Sequence, residues 1–187
     1  MQNSLQTDKN PIFKYMTTYI SYYDSPLGRM TMASDGEALT GLWFEPLKYV
    51  DSIMTNTCEI NHDLTIFQET TKWLDIYFTG KDPQFTPPLN AKGSLFRQQV
   101  WEILLTIPFG QTMSYGKIAK LIACRKGTNM MSAQAVGGAV GHNPISLIIP
   151  CHRVIGAHGQ LTGYASGIDK KRWLLQNEHV PMANIHL

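Results

Sequence analysis

Cysteine is scarce in this chain of 187 residues, and acid is scarce in half of it. The three cysteines, Cys58, Cys124 and Cys151, are odd in number, far apart and form no C-x-x-C pair. That excludes a disulfide scaffold and fits a reducing, cytoplasmic setting in which a free thiol stays nucleophilic. Long apolar runs are also missing. Nothing approaches the ~20 residues of a membrane span, so no membrane partner is expected. The opening stretch MQNSLQTDKNPIFK has no apolar h-region and does not read as a secretory signal. Cys124, His142 and His158 do not fall into metal-ligand spacing, and neither a metal nor a cofactor is expected. Low-complexity and collagen-like bias are absent, so the chain is a globular one, long enough to bury a real core.

The net charge of +2 conceals an asymmetry. Residues 1–91 carry 6 Lys+Arg against 11 Asp+Glu, a balance of −5. Residues 92–187 carry 10 Lys+Arg and only Glu102, Asp169 and Glu178 as acids, a balance of +7. A basic half with three carboxylates points to a polyanionic partner, with nucleic acid the leading candidate, or else to a solvated basic face.

The acidic half opens with strand-like stretches at Thr18–Tyr23, Arg29–Ala33 and Ala38–Phe44, separated by the turn signals Ser25-Pro26-Leu27-Gly28 and Ser34-Asp35-Gly36. These predict a small antiparallel meander. A helix follows over 63–79, with Leu64, Phe67, Thr71, Leu74 and Phe78 recurring at helical spacing and Gly80 where a C-terminal cap belongs. The Pro-rich stretch KDPQFTPPLNAKGS coincides with the change of charge, which places a boundary near residue 90 between domains at 1–90 and 91–187.

The basic half begins with a helix capped by Ser94, striped by Phe96, Val100, Trp101, Leu104 and Leu105, and stopped by Pro108. Ser114 caps a second helix, YGKIAKLIA, and the loop CRKGTNMM leads to a third at Ser132–Gly141. Helix, loop and small-residue helix in a basic half outline a helix-turn-helix. The third helix is weak, because Gly137, Gly138 and Gly141 each cost ~1 kcal/mol relative to Ala. Either tight packing or close approach of its backbone to a ligand must offset that cost. The whole is an α+β chain: a small sheet-plus-helix domain followed by a mostly helical one.

The run Ile145, Leu147, Ile148, Ile149 reads as a buried strand that ends in Pro150-Cys151-His152-Arg153. A thiol becomes a nucleophile when a base or a positive charge lowers its pKa. His152 can serve Cys151 only where the chain turns or a water bridges them, since successive side chains of a strand point to opposite faces. Glu178, one of three acids in this half, is the candidate to orient the imidazole.

The segment from about Phe96 to Glu178 resembles the methylated-DNA–protein-cysteine methyltransferases, also called O6-alkylguanine-DNA alkyltransferases. The stretches FRQQVWEILLTIPFGQTMSYGKIA, AVGGAVGHNPISLIIPCHRVIG and GYASGIDKKRWLLQNE carry the resemblance, and their pattern is nearest the bacterial constitutive type. It implies a ribonuclease H-like first domain and a monomer that binds double-stranded DNA through the minor groove. It implies that O6-alkylguanine, with O4-alkylthymine as a second candidate substrate, is flipped out of the duplex and surrenders its alkyl group irreversibly to Cys151 in one turnover. His152 would act through water as base, Glu178 would orient it, and Tyr115 would protonate the departing base. Asn143 would support the hinge between recognition helix and active-site strand, and Tyr164, Lys171, Ser166 and Val154 would line the pocket. Gln134, Ser132, Ala133, Ala135, Gly137 and Gly138 would face DNA, with Lys117, Lys120, Arg125, Lys126 and Arg153 as basic contacts.

Three departures from the family pattern stand out. Gln134 occupies the place of an arginine that fills the gap left by the flipped base, which implies weaker extrusion. Ser166 stands where glycine is common, and the loop Ala123–Met131 is a few residues longer than usual. Three other readings are open on the residues: a non-catalytic protein that marks alkylated bases, a cysteine hydrolase using Cys151, His152 and Glu178, and a transcription regulator.

Overall fold

The computed structural model describes residues 17–46 and 58–186. The expectation about a secretory signal falls on residues 1–14, outside that range. The predicted meander is present: β1 (Thr18–Ser25), β2 (Gly28–Ser34) and β3 (Leu39–Phe44) pair antiparallel in sequence. A short strand the sequence reading missed, β4 (Cys58–Ile60), adds parallel to β1, giving the order β3-β2-β1-β4.

Helix α1 runs Thr65–Phe78, with Leu64 as its N-cap residue. Its buried stripe is Ile66, Phe67, Thr70, Trp73, Leu74 and Tyr77, one position round from the predicted one. Stacking decides the rotation, because Trp73 lies parallel to Tyr77 with ring centroids 5.1 Å apart. That stripe packs on Met30, Met32, Leu39, Leu42 and Phe44 of the sheet.

In the second half, α2 (Leu95–Leu105) is capped by Ser94, α3 (Tyr115–Lys126) by Ser114 and α4 (Ala133–Gly141) by Ser132. Each serine side chain accepts from a backbone N–H three residues on, which satisfies one orphan donor of its helix. Helix α3 is longer than predicted. It continues through Arg125 and Lys126 to Gly127, which closes it in the left-handed region at φ 64°. Arg125 pairs with Glu102 of α2 at 3.3 Å and Lys126 lies over the Phe96 ring, so the last turn is anchored where a loop was expected.

The predicted strand before Pro150 is not formed. Leu42 of β3 donates its N–H to Pro144 O at 2.9 Å and accepts from Ser146 N at 2.8 Å, a single bridge at Ile145. The chain then turns through Leu147, a buried residue at φ 68°, into one 3₁₀ turn at Cys151–Arg153. A two-residue pair, β5 (Met113–Ser114) and β6 (Val154–Ile155), and helix α5 (Ile168–Asn177) complete the half.

One cluster of buried side chains, from Met30 through Trp101 to Leu174, runs through both halves of the chain. Among the described residues no helix is long and apolar enough to cross a membrane. A shared core predicts shared stability. Leu42→Ala, at the bridge between the halves, should cost about 2–5 kcal/mol. Urea unfolding followed by tryptophan fluorescence and by far-UV circular dichroism should give one coincident transition; two separated transitions would show that each half is stable alone.

Candidate active site

The site is built around the end of α5. Glu178 is 1% exposed and closes that helix. Its Oε1 accepts from Tyr77 Oη at 2.8 Å, His152 Nε2 at 2.6 Å and Arg153 Nη2 at 3.1 Å. Its Oε2 accepts from Arg153 Nε at 2.8 Å and Gly110 N at 3.2 Å. Burial alone would raise the carboxyl pKa; the His152 and Arg153 interactions outweigh it and bring the value down to about 2. Glu178 is therefore an anion throughout the physiological range.

That anion fixes the histidine. The His152 ring is fully buried, and Nε2 faces a carboxylate, which can only accept, so the proton resides on Nε2. Nδ1 is buried without a hydrogen-bond partner among the described residues, leaving its lone pair free. Burial pushes the imidazole pKa below its ordinary value. Glu178 opposes that push, and Arg153 and Lys171 reinforce it. A neutral imidazole with a bare Nδ1 is a base in waiting.

Cys151 is 7% exposed, at the start of the 3₁₀ turn next to that ring. Burial raises its thiol pKa; the Asn143 amide, the Lys171 ammonium and the backbone N–H groups of Cys151 and His152 draw it back down. Cys151 is thus a thiol whose proton must be removed before it can act as a nucleophile, rather than a standing thiolate. Asn143 also ties the turn together: Nδ2 donates to Ile149 O at 2.7 Å and Ile145 O at 3.2 Å, while Oδ1 accepts from Ile145 N at 3.0 Å. These bonds hold Leu147 in its left-handed conformation, which costs a branched residue about 1–2 kcal/mol.

Of the residues expected at the pocket, Asn143, Lys171 and Tyr164 interact with the Cys151 side chain. Lys171 is fully buried and donates to Val154 O at 2.6 Å and Thr162 O at 2.7 Å. Burial lowers its pKa to about 8, and an ionised Cys151 would oppose that shift. Burial raises the pKa of both Tyr164 and Tyr115; an ionised Cys151 would raise them further, and the hydrogen bond to Thr162 opposes the shift at Tyr115. Tyr115 opens α3 and reaches toward Thr162 O, and the Tyr164 hydroxyl is buried without a hydrogen-bond partner among the described residues. Ser166 is half-buried in the turn before α5, with no contact that assigns it to the pocket.

Helix α4 presents Ser132, Ala133, Gln134, Ala135, Gly138 and Gly141 to solvent and buries Val136, Ala139 and Val140. Tight packing does not account for its glycines. A Cβ at Gly138 or Gly141 would meet nothing within 4 Å, and one at Gly137 would only touch the Tyr115 ring at 3.8 Å. Lys117 and Lys120 are exposed on α3. Arg153 is not where a DNA contact would be. It is 8% exposed, forks onto Glu178 and donates Nη1 to Ile107 O at 2.6 Å, because a buried carboxylate demands a cation.

Residues 18–91 match the family model for the ribonuclease-like domain of 6-O-methylguanine DNA methyltransferase, and residues 95–180 match that for its DNA-binding domain. The chain belongs to the 6-O-methylguanine DNA methyltransferase family. The methylated-DNA–protein-cysteine methyltransferase of Haemophilus influenzae is 40% identical over 164 residues, 87% of each chain. That of Mycobacterium tuberculosis is 45% identical over 155 residues, 83% of this chain and 88% of its own. A crystal structure of the M. tuberculosis O6-methylguanine methyltransferase has a TM-score of 0.73 at 43% identity, covering 86% of this chain and 92% of the other. A structure of the M. tuberculosis protein in complex with DNA has a TM-score of 0.72 at 41% identity, covering 87% and 92%.

For this member of the 6-O-methylguanine DNA methyltransferase family, sequence reasoning missed Tyr77 and Gly110. Tyr77 belongs to the other half of the chain, and only the correct rotation of α1 would have turned it inward. Gly110, read as a turn residue, has φ 75°, and a Cβ there would come within 2.8 Å of Glu178 O, so only glycine lets its N–H reach the carboxylate.

Acid should expose the buried carboxylate. With a folded pKa of about 2 against the ordinary 4.5, Glu178 contributes on the order of 3 kcal/mol. That stability is fully present above pH 4.5 and is lost as the pH falls toward 2. Urea midpoints measured across this range should drop steeply in the wild type and less steeply in Glu178→Gln. Equal acid slopes in the two proteins would mean that the carboxylate is not the group responsible.

Proposed function

We propose that this protein repairs alkylated DNA by moving the alkyl group from O6 of guanine to the Cys151 sulfur. Alkyl transfer from DNA to a protein cysteine is the activity that its family membership carries, and DNA is the partner. The observation that supports Cys151 as acceptor is the arrangement behind it: a buried thiol beside a neutral imidazole whose Nε2 is locked on Glu178 and whose Nδ1 is bare.

The chemistry balances as a displacement at saturated carbon. The thiol proton passes to His152 Nδ1, with a water able to carry it across. The sulfur lone pair forms the S–C bond as the C–O6 bond breaks, and the electron pair leaves on the guanine. Tyr115, protonated by virtue of its raised pKa, gives its proton to the departing base, and the imidazolium passes its own proton through water to the tyrosinate, restoring both groups. No tetrahedral oxyanion forms, so no oxyanion hole is needed. The thioether has no good leaving group, so each molecule reacts once.

A base inside the duplex stack is out of reach of a buried thiol, so the nucleotide must be extruded, at a cost of a few kcal/mol. The exposed, side-chain-poor face of α4 supports approach to the minor groove, and Gln134, exposed in its first turn, would take the space of the flipped base. Among the described residues, Lys117 and Lys120 are exposed cations on the neighbouring helix α3, whereas Arg125 pairs with Glu102 and Lys126 lies over Phe96. We take the protein to act as a monomer in the cytoplasm, its two domains meeting near residue 90. A non-catalytic lesion marker is disfavoured, since the relatives are methyltransferases and Cys151, His152 and Glu178 are all in place.

Intact-mass measurement after mixing with excess O6-methylguanine duplex should show a gain of one methyl group on Cys151, stopping at one, and none in Cys151→Ala. Tight binding with no mass change would overturn the reading. Gln134→Arg should tighten binding to the lesion duplex on the order of threefold to tenfold. A neutral effect would show that residue 134 does not enter the stack.

A further inference from the structure

We propose that Tyr77, from α1 in the N-terminal half, is a positioning residue of the transfer site: its hydroxyl fixes Glu178 and His152 so that the imidazole keeps its proton on Nε2 and offers Nδ1 to the thiol. This inference rests on the alkyl-transfer reading above and deepens it. It makes the first domain a contributor to the chemistry.

The geometry is specific. Tyr77 Oη stands 2.8 Å from Glu178 Oε1 and 3.2 Å from His152 Nε2, closing a triangle whose third side is the 2.6 Å His152–Glu178 bond. The phenol has one proton, and it goes to the carboxylate, the only acceptor of the two. Its oxygen lone pair is then left beside the Nε2 proton as a second, weaker acceptor. If the imidazole proton moved to Nδ1, Nε2 would set a lone pair against Oε1 at 2.6 Å, and the phenol could still donate to one of the two but would lose its oxygen's contact with the Nε2 proton. Tyr77 thus favours the Nε2–H tautomer through that second contact. A tyrosine that merely needed a partner for its buried hydroxyl would have no reason to take the same oxygen that the histidine uses.

The ring is held as firmly as its hydroxyl. Tyr77 stacks on Trp73 and meets the rings of Phe109 and His152 edge-on, with centroids 6.1 Å and 6.2 Å away. Its backbone is tied to the same end of α5 that carries Glu178, because Asn177 Nδ2 donates to Tyr77 O at 2.9 Å. Next to it, His179 Nε2 lies 3.2 Å from Gly80 O. The C-terminal ends of α1 and α5 are therefore laced together, and the position of Glu178 depends on both.

The titratable and charged groups around His152 are Tyr77 from α1, Cys151 and Arg153 from its own turn, Tyr164 from the loop before α5, and Lys171 and Glu178 from α5. Removing the Tyr77 hydroxyl takes one donor from Glu178 and leaves the others in place. The carboxylate then attracts a proton to the imidazole more strongly, which raises the pH at which His152 becomes charged and useless as a base.

The test is Tyr77→Phe, which keeps the ring and its stacking. Single-turnover methyl transfer from an O6-methylguanine duplex would be timed across pH, together with duplex affinity, and the His152 ring nitrogens would be read by 15N NMR in wild type and variant. The rate should fall by about tenfold, its acid limb should move to higher pH, and duplex affinity should be unchanged. An unaltered rate, or an equal loss at every pH with no movement of the limb, would reduce Tyr77 to a packing role. A wild-type spectrum with the proton on Nδ1 would overturn the proposal even if the variant failed to fold. Should the wild type take up no methyl group at all, the alkyl-transfer reading is what fails, and the ring-nitrogen shifts of the two proteins still decide whether Tyr77 sets the tautomer.

Discussion

A carboxylate buried to 1% exposure must be matched by donors, and Glu178 has five hydrogen bonds from three separate parts of the chain. One comes from α1, one from the turn after α2, and three from the 3₁₀ turn that follows Pro150, while the acid itself ends α5. Satisfying it therefore places each of these elements. As a source of stability such a network is a poor investment, because replacing a buried ion pair with packed apolar groups is often neutral or favourable. Its return is geometric. The imidazole that faces it has one tautomer and one orientation, and the guanidinium beside it is committed inward.

The thiol is governed by the opposite logic. Reactive cysteines usually occupy electropositive, partly open places where the thiolate already dominates. Cys151 is buried and its pKa is raised, so it is quiet until a base removes the proton. On the reading that each molecule reacts once, that restraint is useful, since oxidation or a stray electrophile would spend the Cys151 thiol. Lys171 and Asn143 soften the penalty without abolishing it. Both are themselves tied to backbone carbonyls of the site, so they stay in place as the charge develops.

What the sequence made legible follows from how local each signal is. Ser94, Ser114 and Ser132 announce their helices because a cap acts over three residues. The association of Cys151, His152 and Glu178 could be inferred from the scarcity of acids in the basic half, and the family motifs strengthened it. The strand expected before Pro150 failed because an apolar run states burial but not conformation; Asn143 and a single bridge to Leu42 decided for a turn. Arg153 looked like a phosphate contact because charge was judged without knowing that a carboxylate from 25 residues away needed it. Tyr77 was lost to an error of one position in the rotation of α1, with its partner 101 residues distant.

Helix α4 shows how the two halves of the problem separate. Its glycines cost ~1 kcal/mol each, and they cannot be there for packing, since the space beyond Gly138 and Gly141 is open. The helix is held from behind instead: Val136, Ala139 and Val140 are buried, and Trp101 of α2 donates Nε1 to Ala139 O at 2.9 Å across the interface. Stability is thus supplied entirely by the inner face, which frees the outer face to be chosen for what it must approach. A face stripped of side chains brings backbone closer to a partner than any side-chain contact could, and it imposes little demand on sequence. On the reading proposed above, a protein that must find a damaged base in any sequence context needs that indifference and leaves discrimination to the surroundings of Cys151, and Tyr115, beside Gly137 and interacting with Cys151, links the two.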